Sequence, residues 1–169
     1  MDKPTVFHQL GKFVVRFQQL EHAVNNLIVL LSQSNDSVIR IVANDLEYSK
    51  RLSTTDVLFS YFLDIRHIQD TNIKKNFHSL ITRLSKLGQR RNELVHSSYN
   101  SWIDVNGANG LLRKNSHLSG SKGERIEDEE ELLPDAFDAD IVKLEAAAID
   151  LEKFRMQIID WLYPDENAN

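Results

Sequence analysis

Residues 71–96 read TNIKKNFHSLITRLSKLGQRRNELVH, and this stretch decides the predicted fold. Its apolar side chains recur at intervals of three and four residues, which is the spacing of one face of an amphipathic helix. Such a helix must bury its apolar stripe against neighbours, so the pattern predicts a helical bundle. The members of the stripe are Ile73, Phe77, Leu80, Leu84, Leu87 and Leu94.

The same periodicity marks the rest of the chain. It predicts a long first helix after Pro4, a short helix near residues 36–44, a third helix near residues 49–64 and a last helix that ends before Pro164. Residues 100–135 instead contain Asn-Gly and Gly-Ser pairs, which are typical of a loop or small hairpin. We therefore predict a single all-α domain over residues 1–169, with four main helices, one short helix and a loop or hairpin insertion at about 100–135.

The composition excludes several classes of protein. The 169 residues include no cysteine, which rules out disulfides, thiolate nucleophiles and cysteine-based metal centres. No apolar run approaches the roughly 18 residues of a membrane span, and the first residues lack the apolar core of a signal peptide. We expect a soluble cytoplasmic protein that does not bind membranes. The six histidines show no paired ligand spacing, so we expect no metal and no cofactor.

Charge is unevenly distributed along a chain whose net charge is −5. Residues 71–92 contain six basic and no acidic side chains, whereas residues 124–140 contain nine acidic side chains and Arg125 as the single basic one. The pattern predicts a positive fourth helix and an acidic tether. The alternative is that both runs are simply solvated surface.

Two charged residues interrupt the apolar stripes of their helices. Glu21 continues the register of Phe17 and Val24, and Arg91 is seven residues after Leu84. Burying an isolated charge costs several kcal/mol. We therefore predict that Glu21 and Arg91 pair with each other. The alternatives are a pair that only sets helix register, or two half-exposed side chains.

Three polar side chains end the fourth helix. Asn92 and His96 are four residues apart, so they lie on adjacent turns of one helical face, and Arg91 is about a quarter turn away. A guanidinium, an amide and an imidazole therefore converge on the end of one helix. For a lone histidine in this place, simple helix capping is the alternative.

The sequence RNELVH at Arg91–His96 resembles the R-N-x-x-x-H signature of the HEPN family, and the helical layout resembles that family over most of the chain. The resemblance implies a homodimer whose two motifs meet in one composite site that cleaves RNA without a metal ion. Some HEPN toxins continue with His-x-Tyr, the tyrosine being modified by a nucleotidyltransferase antitoxin. Here the spacing from His96 to Tyr99 is one residue longer.

The residue types suit RNA cleavage by the substrate's own 2′-hydroxyl. Histidine transfers protons near neutral pH, and a guanidinium stabilises charge on phosphate oxygens. The catalytic candidates are Arg91, Asn92 and His96, with Glu21 and Tyr99 as supporting residues. The substrate-binding candidates on the basic helix are Arg83, Lys86 and Arg90.

Three functions follow from this pattern. The first is a metal-independent endoribonuclease of the toxin or anti-phage kind, active as a homodimer, with a nucleotidyltransferase-like antitoxin as a candidate partner. The alternative is a non-catalytic HEPN-like dimer that binds nucleotide, nucleic acid or a protein. The third is a helical scaffold without a site.

Overall fold

The computed structural model describes residues 4–119 and 123–164. In these residues the chain forms five α-helices and a three-stranded antiparallel sheet. The helices are α1 Val6–Ser32, α2 Asp36–Asp45, α3 Tyr48–Ile65, α4 Thr71–Val95 and α5 Asp138–Leu162. The strands are β1 Ser98–Ile103, β2 Asn109–Ser119 and β3 Glu124–Leu132, and a short 3-10 helix, Pro134–Phe137, leads into α5.

The helices lie where the apolar periodicity predicts them. Asp70 caps α4, because its Oδ1 accepts hydrogen bonds from the backbone N–H groups of Asn72 at 2.8 Å and Ile73 at 3.1 Å. The long helices pack in the cyclic order α1, α3, α4, α5, and α2 lies on α1. Aromatic rings fill the centre, where Phe59 of α3 stacks on Phe77 of α4 with ring centroids 4.0 Å apart.

The prediction of an all-α fold is wrong, because the segment between α4 and α5 forms a sheet in the order β1–β2–β3. The Asn106-Gly107 pair makes the first turn. Asp104 Oδ1 accepts from the N–H groups of Asn106 at 2.9 Å and Ala108 at 2.6 Å, and Gly107 adopts a φ of +83° that side chains rarely tolerate. The hairpin signal in the sequence was therefore real, but it marks only part of the sheet.

The acidic segment 124–140 is not a tether, because its first part forms strand β3 and its last residues belong to the 3-10 helix and to the start of α5. The register of β3 places Glu130 opposite Arg113 and Glu129 opposite Lys114, and both pairs form ion pairs. Leu132 lies opposite Leu111, and both leucines are buried in the helical core. The ion pairs offset the repulsion between the carboxylates, and the two buried leucines attach the strand to the core. An acidic segment can therefore form a strand of the sheet.

Parts of the predicted domain lie outside the described residues, namely residues 120–122 of the insertion and the terminal residues 1–3 and 165–169. Within the ranges that are described, no helix has an apolar run long enough to cross a membrane.

Candidate functional site

The end of α4 presents Asn92 and His96 on consecutive turns. His96 is the C-terminal cap of the helix, and its backbone N–H donates to the Asn92 carbonyl oxygen at 3.0 Å. Both side chains are exposed. Within residues 4–119 and 123–164 the His96 imidazole makes no hydrogen bond or ion pair, so both ring nitrogens are accessible to a substrate or a second chain.

Arg91 contacts Asn92 and the Phe17 ring. Its Nη1 donates to Asn92 Oδ1 at 2.9 Å, and its Cζ lies 5.7 Å from the centroid of the Phe17 ring. The Nε is buried and has no hydrogen-bond acceptor in the described part of the chain. No other hydrogen bond of the guanidinium occurs there, which leaves the Nη2 donors available to an anion.

The platform under Arg91 is built from two aromatic rings. Tyr48, at the start of α3, packs edge-on against Phe17 with centroids 5.1 Å apart. Gly88 makes this approach possible, because a Cβ there would lie 2.7 Å from the Tyr48 ring. Burial, followed by the nearby Glu21 carboxylate, raises the pKa of the Tyr48 hydroxyl above its ordinary value of 10.0. Tyr48 therefore stays neutral and acts as a packing residue.

The predicted pair between Glu21 and Arg91 is wrong. Glu21 is buried, as the stripe predicts, but its Oε1 pairs with Arg51 Nη2 at 2.9 Å. Arg51 Nη1 also donates to Asn25 Oδ1 at 3.3 Å. The carboxylate thus holds α1 against α3, and the Phe17 ring rather than an acid covers Arg91. Arg51 was missed in the sequence although it precedes the buried residues Thr55 and Phe59 at helical spacing.

Tyr99 lies in β1 rather than on the helix. Its hydroxyl donates to the Leu94 carbonyl oxygen at 2.5 Å, which fastens β1 to the last turn of α4. Burial raises the pKa of this hydroxyl, partly offset by the positive charges of Arg113 and Arg90. The group is thus held against the backbone and supports the geometry of the α4 end.

Arg90 is the centre of a second cluster, the Arg90 cluster, formed with Arg113, Glu130 and Asp140. Arg90 binds Glu130 through two parallel hydrogen bonds of 2.7 and 2.8 Å and donates to Asp140 Oδ2 at 2.8 Å. Arg113, itself buried, donates to Glu130 at 2.8 Å and to Ser97 Oγ at 3.2 Å. The cluster joins α4, α5 and the sheet directly beside the motif.

These contacts use the Arg90 donors, and the hydrogen bonds to Glu130 raise the pKa of Arg90. We therefore assign Arg90 a structural role. Arg83 pairs with Asp150 at 2.8 Å, whereas Lys86 is exposed and has no ion pair within the described residues. Asn92 lies roughly 160° around the helix from Arg90. Arg90 and Asn92 therefore project from different sides of α4, and the side chains of Arg83 and Arg90 are held in ion pairs.

The Arg90 cluster makes stability depend on pH. Hydrogen bonds from Arg90 lower the pKa of Glu130 below its ordinary value of 4.5. A depressed carboxyl pKa adds stability that is present above the unfolded-state pKa and is lost as pH falls through the folded-state pKa. In Glu130→Gln we expect the deficit in unfolding free energy to be largest near neutral pH and to shrink towards about pH 3, as urea unfolding would measure.

The control for this experiment is Glu131→Gln on the same strand, because Glu131 is exposed and has no ion pair in the described chain. Its unfolding free energy should follow that of the wild type at every pH. If Glu130→Gln were destabilised relative to the wild type by the same unfolding free energy at neutral and at acidic pH, the role given to this carboxylate would be contradicted.

Comparison of the chain with protein-family models, with curated proteins and with solved structures finds no match. The resemblance to HEPN proteins therefore depends on the R-N-x-x-x-H pattern and its place at the end of α4.

Proposed function

We propose that the chain is a metal-independent endoribonuclease that acts as a homodimer. The observation that supports this most directly is the arrangement at the end of α4, where Arg91 contacts Phe17 and Asn92, and His96 is exposed one turn after Asn92. An oriented guanidinium can stabilise charge on a phosphate and an accessible imidazole can transfer a proton, and both tasks belong to the transesterification of RNA.

In the proposed reaction the ribose 2′-oxygen attacks the adjacent phosphorus, and the bond from phosphorus to the 5′-oxygen breaks. One imidazole accepts the proton of the 2′-hydroxyl, and a second group returns a proton to the leaving 5′-oxygen. Arg91 stabilises the additional negative charge on the phosphorane through its Nη2 donors. The products are a 2′,3′-cyclic phosphate and a 5′-hydroxyl. The reaction as proposed requires no oxidant and no metal ion.

A second copy of the chain supplies the second proton-transfer group in this proposal. Each chain offers one accessible imidazole at the end of α4. Val95, between Asn92 and His96, is apolar and 46% exposed, so a two-fold contact beside the motif would cover it. The HEPN resemblance further supports a cytoplasmic toxin or anti-phage role and a nucleotidyltransferase-like antitoxin as the partner to test.

The second candidate function is binding of RNA without cleavage. It is favoured by the lack of an acid–base partner for His96 among the described residues, since a lone imidazole moves one proton where the reaction needs two. Under this alternative, Arg91 and Asn92 hold a phosphate and no bond is broken.

An assay of RNA cleavage in excess EDTA tests the proposal. The expected result is cutting of single-stranded RNA with cyclic phosphate and 5′-hydroxyl ends, and no cutting when the attacking ribose is replaced by deoxyribose. The deoxyribose substrate is the control, because it lacks only the nucleophile. Binding of RNA without turnover would overturn the nuclease and support the second candidate.

A further inference from the structure

A groove between α4 and α5 lies outside the proposed nuclease site. Its volume is about 570 Å³, which is within the range of small-molecule sites. Leu87 from α4 and Ala146 from α5 supply its apolar lining. The charged residues that line it are Arg83, Lys86, Arg90, Asp140 and Lys143.

Two of these charges have no ion-pair partner among the described residues. Arg90 is held by Glu130 and Asp140, and Arg83 by Asp150. Lys86 and Lys143 are exposed and have no ion pair in residues 4–119 and 123–164, and one stands on each helix of the groove. An acidic protein therefore presents two free ammonium groups over an apolar surface.

We propose that this groove binds a phosphate monoester carried by an apolar group. Two ammonium groups, one from each helix of the groove, complement a phosphate dianion better than a carboxylate, which carries one charge. The apolar part of the ligand would lie on Leu87 and Ala146 and against the aliphatic stems of the two lysines. Inorganic phosphate lacks that apolar part, and an uncharged alcohol lacks the head group, so neither satisfies both halves of the groove.

The groove is distinct from the motif. It lies on the α5 side of α4, whereas Asn92 projects roughly 160° away from Arg90 around the same helix. A ligand in the groove therefore does not occupy the proposed RNA site of the same chain, and its binding does not require the chain to be a nuclease.

Isothermal titration of the full chain with 1-naphthyl phosphate at fixed ionic strength tests the proposal. We expect saturable binding that is weakened at least about tenfold in the double variant Lys86→Gln/Lys143→Gln, because the phosphate then loses both charged contacts. The matched control is Lys75→Gln, which removes the same charge from the same helix away from the groove. It should bind as the wild type does.

1-Naphthol and inorganic phosphate should each bind at least about tenfold more weakly than the ester. Octyl phosphate and adenosine 5′-monophosphate carry the head group on a lipid-like and a nucleoside body, and the tighter of the two identifies the source of the natural ligand. Equal binding of inorganic phosphate, or no loss in the double lysine variant, would overturn the proposal. So would loss of binding in His96→Ala, because the ligand would then occupy the motif.

Discussion

Replacement of His96 by alanine is expected to reduce RNA cleavage in excess EDTA by at least about a hundredfold, because general acid–base catalysis by a positioned histidine contributes about that factor or more. The side chain is exposed and makes no hydrogen bond or ion pair within the described residues, so its removal should leave the thermal unfolding temperature unchanged. The measurement is the initial rate of cleavage of a labelled single-stranded RNA, with unfolding followed by circular dichroism.

The matched control is His8→Ala. His8 is also an exposed histidine on a helix, but it lies at the start of α1. Its loss should change neither the rate nor the unfolding temperature. Cleavage that survives in His96→Ala would refute the assignment of the motif, and a lower unfolding temperature of that variant would show that His96 acts as a structural cap.

The helical part of the fold could be predicted from the sequence because each long helix buries a periodic stripe. Phe77, Leu80 and Leu84 are fully buried in α4, as their spacing indicates. The sheet could not be predicted in the same way. Strand β3 depends on Arg113 and Lys114, which are far from it in sequence, to neutralise Glu130 and Glu129. Only the register across the hairpin shows this compensation.

The candidate site shows the same limit. Spacing correctly placed Glu21 on a buried face, and it placed Asn92 and His96 on one face of α4. It could not identify partners, because several helices converge on the same core. The Glu21 carboxylate pairs with Arg51 rather than with Arg91, and Arg91 packs on the Phe17 ring instead. Helical periodicity therefore predicts the face of the helix on which a side chain lies. The residues that it contacts depend on how the other helices pack against that face.

Replacement of Arg90 by methionine is expected to lower the free energy of unfolding by about 3 kcal/mol, because removal of one partner leaves a poorly solvated charge uncompensated. The Arg90 side chain is 18% exposed and that of Asp140 is 16% exposed, so Asp140 would lose its partner in a largely dry environment. Glu130 would retain only Arg113 of its two arginine partners. The measurement is urea unfolding of the full chain at neutral pH.

The control is Arg83→Met, seven residues earlier on the same side of α4. The Arg83 side chain is 45% exposed in its pair with Asp150, so its removal should cost less than about 1 kcal/mol. The comparison separates the two roles considered for Arg90. An equally small loss in both variants would contradict the structural role, and the Arg90 guanidinium would then be free for the substrate contact that the sequence predicts. A large loss confined to Arg90→Met instead means that the sheet is held to the helices by the partly buried Arg90 cluster, whose central residue directly precedes the motif.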